Sequence, residues 1–136
     1  MLATAKLLLT TFVGFIVIDY VWLNFVAKKF YIEQMSEVGR IQNGEFKPII
    51  WAAIIVYILL ALGIVYFILP QIEPGQGFLQ VFLCGAFFGL ICYGVYDMTN
   101  LSTLKSWPLA LAAADMAWGA FVTGVVTVIA QYVKSL

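Results

Sequence analysis

The sequence predicts an all-α, polytopic membrane protein in which a single domain forms a four-helix transmembrane bundle. Hydrophobic residues make up 64% of the 136-residue chain and charged residues 10%, whereas soluble domains have about 45–50% apolar and about 25% charged residues. The mean hydropathy is +1.03. Crossing the hydrocarbon of a bilayer takes roughly 20 mainly apolar residues. Four segments reach about this length, residues 7–27, 49–69, 78–97 and 107–132.

The boundaries of these spans follow from local residue chemistry. The first span contains Asp19 and is longer than the ~7–15-residue apolar region of a secretory signal, so we expect it to be retained. Pro48 and Pro70 bound the second span, which carries no charge and is expected to face lipid most broadly. The third span is predicted to end at Asp97. The fourth begins near Pro108, because proline is tolerated in a first helical turn.

Lysine and arginine are unevenly distributed over the connections, and this predicts the orientation. The connection 28–47 holds four of them and the third connection holds Lys105, whereas the second connection has none and each terminus has one. The positive-inside rule therefore places the first and third connections in the cytoplasm and both termini on the other side.

The long connection 28–47 has an amphipathic pattern. Tyr31, Met35, Val38 and Gln42 recur at helical spacing, while charged residues fall on the other faces. The pattern predicts either a short helix lying in the membrane interface or a polar linker.

Three aspartates lie within the apolar spans, where a carboxylate costs roughly 2.5–3.5 kcal/mol at the helix centre. Asp19 is separated from Lys28, and Asp115 from Lys105, by a similar length of helix, which puts both carboxyl groups roughly 13–15 Å from the cytoplasmic edge. Asp97 is placed near the cytoplasmic mouth. We therefore expect the three carboxyl groups to converge on one polar cavity that opens towards the cytoplasm, where Asp19 and Asp115 could share a proton.

Each aspartate also has a polar or aromatic residue three positions later, on the same helical face. A carboxylate beside an indole can hold a cation by charge and cation–π attraction, or can accept a hydrogen bond from the indole N–H. The alternative for the tryptophans is an interfacial aromatic belt. The candidate ligand- or ion-binding residues are Asp19, Trp22, Tyr93, Asp97, Asn100, Asp115 and Trp118.

Small residues predict where the helices pack closely. Gly85 and Gly89 share a face with Tyr93 and Asp97, and the Gly-x-x-x-Gly spacing permits close approach by another helix. Tyr93 could hydrogen-bond Asp97 one turn away or line the same groove. In the fourth span a second ridge of small residues is predicted to pack, opposite the face of Asp115. It consists of Ala113, Ala117, Ala120 and Gly124.

The residue types present also exclude several kinds of site. The chain has no histidine, and Cys84 and Cys92 are spaced too far apart on one helix for a disulfide. We expect no bound metal and no cofactor. Net charge is zero and the one basic pair is Lys28–Lys29, which gives no indication of nucleic-acid binding.

Three runs of residues are similar to a known signature. Tyr96-Asp97-Met98-Thr99-Asn100-Leu101, Leu104-Lys105-Ser106-Trp107-Pro108 and Asp115-Met116-Ala117-Trp118-Gly119 resemble the bacterial membrane proteins grouped as domain of unknown function 2177. Asp19, Trp22 and Tyr31 match the first span and following loop of that family. The resemblance covers essentially the whole chain. It implies a four-helix protein of the bacterial inner membrane, with termini in the periplasm on the charge distribution above, and it implies no activity.

Three functions fit these features. The first is a proton- or cation-linked transporter or small-ligand-binding membrane protein, because the spans hold acidic groups without basic ones and would repel anions. Four helices make a thin bundle, so a transport path would require a homo-oligomer. The second is a membrane-embedded enzyme acting on a lipid or isoprenoid, with Asp97, Thr99 and Asn100 as oxygen ligands of the kind Mg²⁺ accepts. The third is a non-catalytic partner subunit whose aspartates join helices.

Overall fold

The computed structural model describes residues 1–136 and contains four helices long and apolar enough to cross a membrane. The predicted fold class is therefore confirmed. Two of these helices include a π-helical turn, at Trp22–Val26 after α1 and at Ile64–Ile68 after α3, and the latter is followed by a 3₁₀ turn at Leu69–Gln71. The helices are α1 Leu2–Val21, α2 Lys28–Gln34, α3 Ile50–Gly63, α4 Phe78–Thr103 and α5 Leu109–Ser135.

The third span is longer than predicted, and Asp97 does not end it. Helix α4 continues past Asp97 to Thr103 although this last part is polar. The hydroxyls of Ser102 and Thr103 both donate to the carbonyl oxygen of Thr99, at 2.9 and 2.8 Å, so polar side chains bond to a carbonyl group of the helix end. Asp97 therefore lies within α4, about six residues before the helix ends.

The amphipathic helix predicted in the connection 28–47 is only partly correct. Helix α2 ends at Gln34, so Val38 and Gln42 are not on it, and the chain then forms a hairpin of β1 Ile41–Gln42 and β2 Glu45–Phe46. Asn43 and Gly44 form the turn, with φ of 52° and 72°. Two successive residues with positive φ characterise the type I′ turn, for which Asn-Gly is a preferred pair.

Helices α4 and α5 form the closest contact in the bundle. A Cβ built on Gly89 would lie 2.6 Å from Thr123 Cβ and would also clash with the carbonyl oxygen of Gly119. One built on Gly85 would lie 2.6 Å from Thr127 Cβ. The structure thus confirms the close approach predicted from the two α4 glycines, since neither position has room for a side chain.

The second predicted ridge is wrong in its first part. Ala113 and Ala117 are exposed, whereas the α5 face that meets α4 contains Gly119, Thr123 and Thr127. Gly124 does pack, against the ring of Phe82. The difference arises because the glycines of α4 select the α5 surface that can approach most closely, and the small size of an alanine does not by itself make it a contact.

Helix α3 differs from the lipid-facing span that was predicted. Its first half is largely exposed, but Leu60 and Ala61 are buried and the following π-helical turn contributes Ile64 and Val65 to the core. Next to this turn the ring of Phe88 in α4 fills the space beside Gly63. Contacts between α3 and α4 concentrate at this end, so the two helices are less closely packed towards the start of α3.

The hydrophobic core lies where the π-helical turn after α3 meets α1 and α5. Phe15 of α1 is fully buried and packs with Ile64, Val122 and Val126. The Lys134 ammonium donates to the carbonyl oxygen of Leu69 at 2.9 Å, which ties the ends of α5 and α3 together. Helix α2 and the start of α5 pack together at the opposite end, where Tyr31 and Trp107 donate hydrogen bonds to Asp115 and Asp97.

Candidate functional site

Asp19 lies on the buried face of α1, with 5% of its surface exposed. The indole N–H of Trp118 in α5 donates to Asp19 Oδ1 at 2.7 Å. The ring of Trp22 stacks on that indole, with centroids 4.1 Å apart and planes 4° from parallel. Trp118 was predicted to pair with Asp115 on its own helix, and this prediction is wrong. The indole reaches Asp19 on α1 instead, because it is long enough to bridge the roughly 8–10 Å between neighbouring helix axes.

Asp115 receives its hydrogen bond from outside the spans. The hydroxyl of Tyr31 in α2 donates to Asp115 Oδ1 at 2.7 Å. Tyr31 is 4% exposed and packs with Trp107 and Leu111, so α2 folds back against the end of the bundle. Burial, and after it the charge of Asp115, raises the pKa of Tyr31. The hydroxyl therefore keeps its proton and remains a donor through the neutral pH range.

Asp97 is fully buried, and its carboxyl group is incompletely bonded. The indole N–H of Trp107 donates to Asp97 Oδ1 at 3.3 Å, whereas Asp97 Oδ2 has no hydrogen-bond partner. The neighbouring ionisable group is the carboxyl of Asp115. A buried carboxylate oxygen without a donor is costly, so this pair of acids is suited to receiving a proton or a cation.

No basic side chain offsets these three acids. The ion pairs of the protein join Lys28 with Glu45, Lys29 with Glu33 and Lys47 with Glu45, all in the connection 28–47. The aspartates of the spans are held instead by neutral N–H and O–H groups of aromatic side chains. The charge of the site is therefore negative whenever its carboxyl groups are ionised.

A cavity of about 700 Å³ lies between α3 and α4, with Asp19 and Asp115 in its lining. Ten of its twelve lining residues are hydrophobic. Several of the wall residues, such as Val56, Leu59 and Val95, are exposed within the spans. The cavity thus opens sideways, where lipid surrounds the helices, rather than towards the cytoplasm as the sequence suggested. The tyrosines among the lining residues are Tyr57, Tyr93 and Tyr96.

The predicted site residues are therefore only partly brought together. Asp19, Tyr93 and Asp115 line one cavity. Asp97 is adjacent to Asp115 but does not line the cavity. Tyr93 packs against Gly119 and does not bond Asp97. The remaining predicted residues lie outside the lining, namely Trp22 and Trp118, which stack behind Asp19, and Asn100, which is half-buried beside Tyr96.

The Mg²⁺ interpretation of Asp97, Thr99 and Asn100 finds no support in the geometry. Asp97 is fully buried behind Trp107, whereas Thr99 is exposed. These side chains lie in different environments and do not form one oxygen-lined pocket. No group of three His, Cys, Asp or Glu side chains is placed to hold a metal ion.

Sequence reasoning missed three residues that contact the acids or line their cavity. Tyr31 was assigned to an interfacial helix, Trp107 to the start of a span, and Tyr57 to a lipid-facing helix. Tyr57 in fact lies beside Asp19 and lines the cavity. The signal common to all three is a side chain that is apolar but ends in a donor, a type enriched where a buried acid needs a partner.

Comparison with known proteins identifies the family. The model of the family described as predicted membrane protein (DUF2177) matches residues 4–132, which agrees with the resemblance seen in the sequence. No curated protein and no solved structure matches the chain.

Proposed function

The chain belongs to the DUF2177 family of predicted membrane proteins, and from that premise we propose that it binds protons or small cations at an acidic site within the membrane and moves them across it. Asp19, Asp97 and Asp115 are the residues that carry this function. The proposal includes a bacterial inner-membrane location with periplasmic termini, which the distribution of Lys and Arg favours.

The main support is that three carboxyl groups, those of Asp19 and Asp97 buried and that of Asp115 half-buried, lie in the spans without a basic partner. In a purely structural role a buried acid is paired with a cation or is fully hydrogen-bonded. Here the only group beside Asp97 that can engage Oδ2 is the carboxyl of Asp115, which donates a hydrogen bond only when one of the two acids is protonated. A proton or cation bound between Asp97 and Asp115 supplies the missing interaction, and this explains why an acid pair persists in an apolar environment.

The aromatic donors position the carboxyl groups without neutralising them. The bonds from Trp118 to Asp19 and from Tyr31 to Asp115 each engage one carboxyl oxygen. The hydroxyl of Tyr57 also lies beside Asp19, and the carboxyl of Asp97 lies beside Asp115, so no group next to either acid carries a positive charge. Because the partners are neutral, they orient the acids and leave the negative charge of the carboxylates available to an incoming cation.

In this proposal the pathway joins the cavity between α3 and α4 to the carboxyl group of Asp97. Asp19 and Asp115 face the cavity between α3 and α4, and Asp97 lies behind Asp115, next to Trp107. A proton passes between adjacent carboxyl groups and tyrosine hydroxyls in such an arrangement. Because four helices make a thin bundle, the active form in this proposal is a homo-oligomer whose contacts leave the open side of the cavity accessible.

The test is proton movement by the purified protein in liposomes that contain a trapped pH-sensitive dye, with potassium and valinomycin to set the membrane potential. We expect the parent protein to dissipate an imposed pH gradient and the Asp115→Asn variant to do so at least about tenfold more slowly, since the amide keeps the shape and removes the charge. Glu37→Gln is the matched control, because Glu37 is an exposed acid outside the spans.

Two results would refute the proposal. One is a parent protein that moves neither protons nor sodium ions above the rate of empty liposomes. The other is an Asp115→Asn variant that folds and keeps the full rate. If the variant instead fails to fold and Asp97→Asn folds with the full rate, the acids join helices and do not carry the proton, which also refutes the proposal.

A further inference from the structure

The cavity between α3 and α4 combines two properties that a simple ion site does not need. Its back wall contains the carboxyl groups of Asp19 and Asp115, while ten of its twelve lining residues are hydrophobic. Its volume of about 700 Å³ falls within the roughly 300–1,000 Å³ of sites for small organic ligands. A proton or a bare metal ion would leave nearly all of this space unused.

The shape of the cavity follows from the packing of α3 on α4. The two helices are in contact beside Gly63, where the ring of Phe88 takes the place a side chain would need. Helix α3 itself makes few contacts with α4, and the walls between them are formed by Ala53 and Val56 on one side and Val95 on the other. The cavity is thus a groove, closed at one end and open sideways within the span.

The charge and donor pattern of the groove selects the ligand. Two carboxyl groups without a basic neighbour repel anions and attract cations. An ammonium group has three N–H donors and no acceptor, so it can donate to carboxyl oxygens of Asp19 and Asp115 in addition to the bonds from Trp118 and Tyr31. Beside Asp19 it takes the position of the Tyr57 hydroxyl, which lines the groove. The rings of Tyr57, Tyr93 and Tyr96 line the same groove and add cation–π attraction.

From these observations we infer that the groove binds an amphiphilic primary amine that enters sideways from the bilayer. Its ammonium group bonds to Asp19 and Asp115, and its hydrocarbon part lies along the apolar walls of α3 and α4. Burial of the chain against these walls adds affinity in proportion to the apolar area covered. The inference rests on the proposed function, because it names the chemical class of the cation that the same acids bind.

The experiment measures equilibrium binding of radiolabelled decylamine to the parent protein in lipid nanodiscs, with decanol as the neutral probe of matched length. We expect saturable binding of one decylamine per chain and at least about tenfold weaker binding of decanol. Asp115→Asn should weaken decylamine binding by about tenfold or more, because the amide oxygen can still accept a hydrogen bond but the charge that attracts the ammonium is lost.

A steric variant makes the test independent of the acids. Val56→Trp adds bulk to an exposed wall of the groove, and we expect it to weaken decylamine binding about tenfold. Val17→Trp is the matched control. Val17 is similarly exposed on α1, at 55% against 52% for Val56, and does not line the groove. This variant should bind decylamine like the parent protein.

Three outcomes would overturn the inference. The first is the absence of saturable decylamine binding, and the second is full binding of decylamine by Val56→Trp. The third is equal binding of decylamine and decanol, which would show that the groove binds lipid chains without selecting an ammonium group. Proton movement measured on the same preparation separates the two proposals. Proton movement without amine binding refutes the groove ligand alone, and amine binding without any proton or cation movement refutes transport alone.

Discussion

The packing of α4 on α5 leads to a prediction about Gly89, the residue at its closest point. Replacing Gly89 by alanine adds one methyl group 2.6 Å from Thr123 Cβ and in conflict with the carbonyl oxygen of Gly119. Ordinary contact begins at 3.4 Å. The clash involves the backbone of α5 as well as a side chain, so it cannot be relieved by rotation about a side-chain bond, and the two helices must move apart.

The magnitude follows from two opposing terms. Overpacking costs about 1–3 kcal/mol, and a site where backbone must move lies at the upper end of that range. Alanine returns about 0.8–1 kcal/mol through its higher helix propensity. We expect Gly89→Ala to lower the free energy of unfolding by about 1–2 kcal/mol, and Gly89→Leu to lower it much further and reduce the folded yield in detergent.

Gly14→Ala is the matched control for this measurement. Gly14 also lies inside a helix, but a Cβ there would be 3.5 Å from Val126 Cγ2, an ordinary contact. It should therefore show the propensity gain without the clash, and stabilise the protein by up to about 1 kcal/mol. The assay is unfolding by SDS in mixed micelles, followed by tryptophan fluorescence. If Gly89→Ala is as stable as Gly14→Ala, α4 and α5 do not pack through this face.

Three further predictions concern the acidic site and the topology. Tyr31→Phe removes the donor to Asp115 and should cost about 1.5–3 kcal/mol of unfolding free energy if that carboxyl is ionised, measured by the same SDS titration; a stability equal to the parent would show that the bond does not form. Cysteines introduced at Ser135 and at Glu37 should react with impermeant reagents from opposite sides of the membrane, and labelling from one side would contradict the orientation. Gly44→Ala places a side chain at φ of 72° and should destabilise the hairpin by about 1 kcal/mol, seen as faster amide hydrogen exchange there; exchange unchanged from the parent would refute the turn.

The spans and the close helix contact were predictable because they depend on local sequence. Length and hydropathy give the number of helices regardless of how they pack. The face containing Gly85 and Gly89 was predictable because the two residues are one turn apart on one helix. In contrast, the lining of the cavity by α3 depends on how far α3 and α4 lie apart between the start of α3 and Gly63. The periodicity of neither helix contains this information.

The hydrogen-bond partners of the acids could not be read from spacing. Asp19 and Trp118 lie on different helices, as do Asp115 and Tyr31. Spacing along one helix identifies neighbours on its surface, but a buried acid is satisfied by whichever donor faces it across the interface. The Asn43-Gly44 turn is a different case, because its signal is local and the hairpin could have been predicted from the sequence.

The protonation of the buried acids is the central claim and can be observed directly. Infrared difference spectra of the protein in lipid, recorded across a pH titration, resolve the carbonyl stretch of protonated carboxyl groups away from water. We predict such a band that titrates with pH and is altered or lost in both Asp97→Asn and Asp115→Asn, while Glu37→Gln leaves it unchanged. A spectrum with no titrating carboxyl band in the membrane, or a band unaffected by both variants, would contradict the proposal that these aspartates bind the proton.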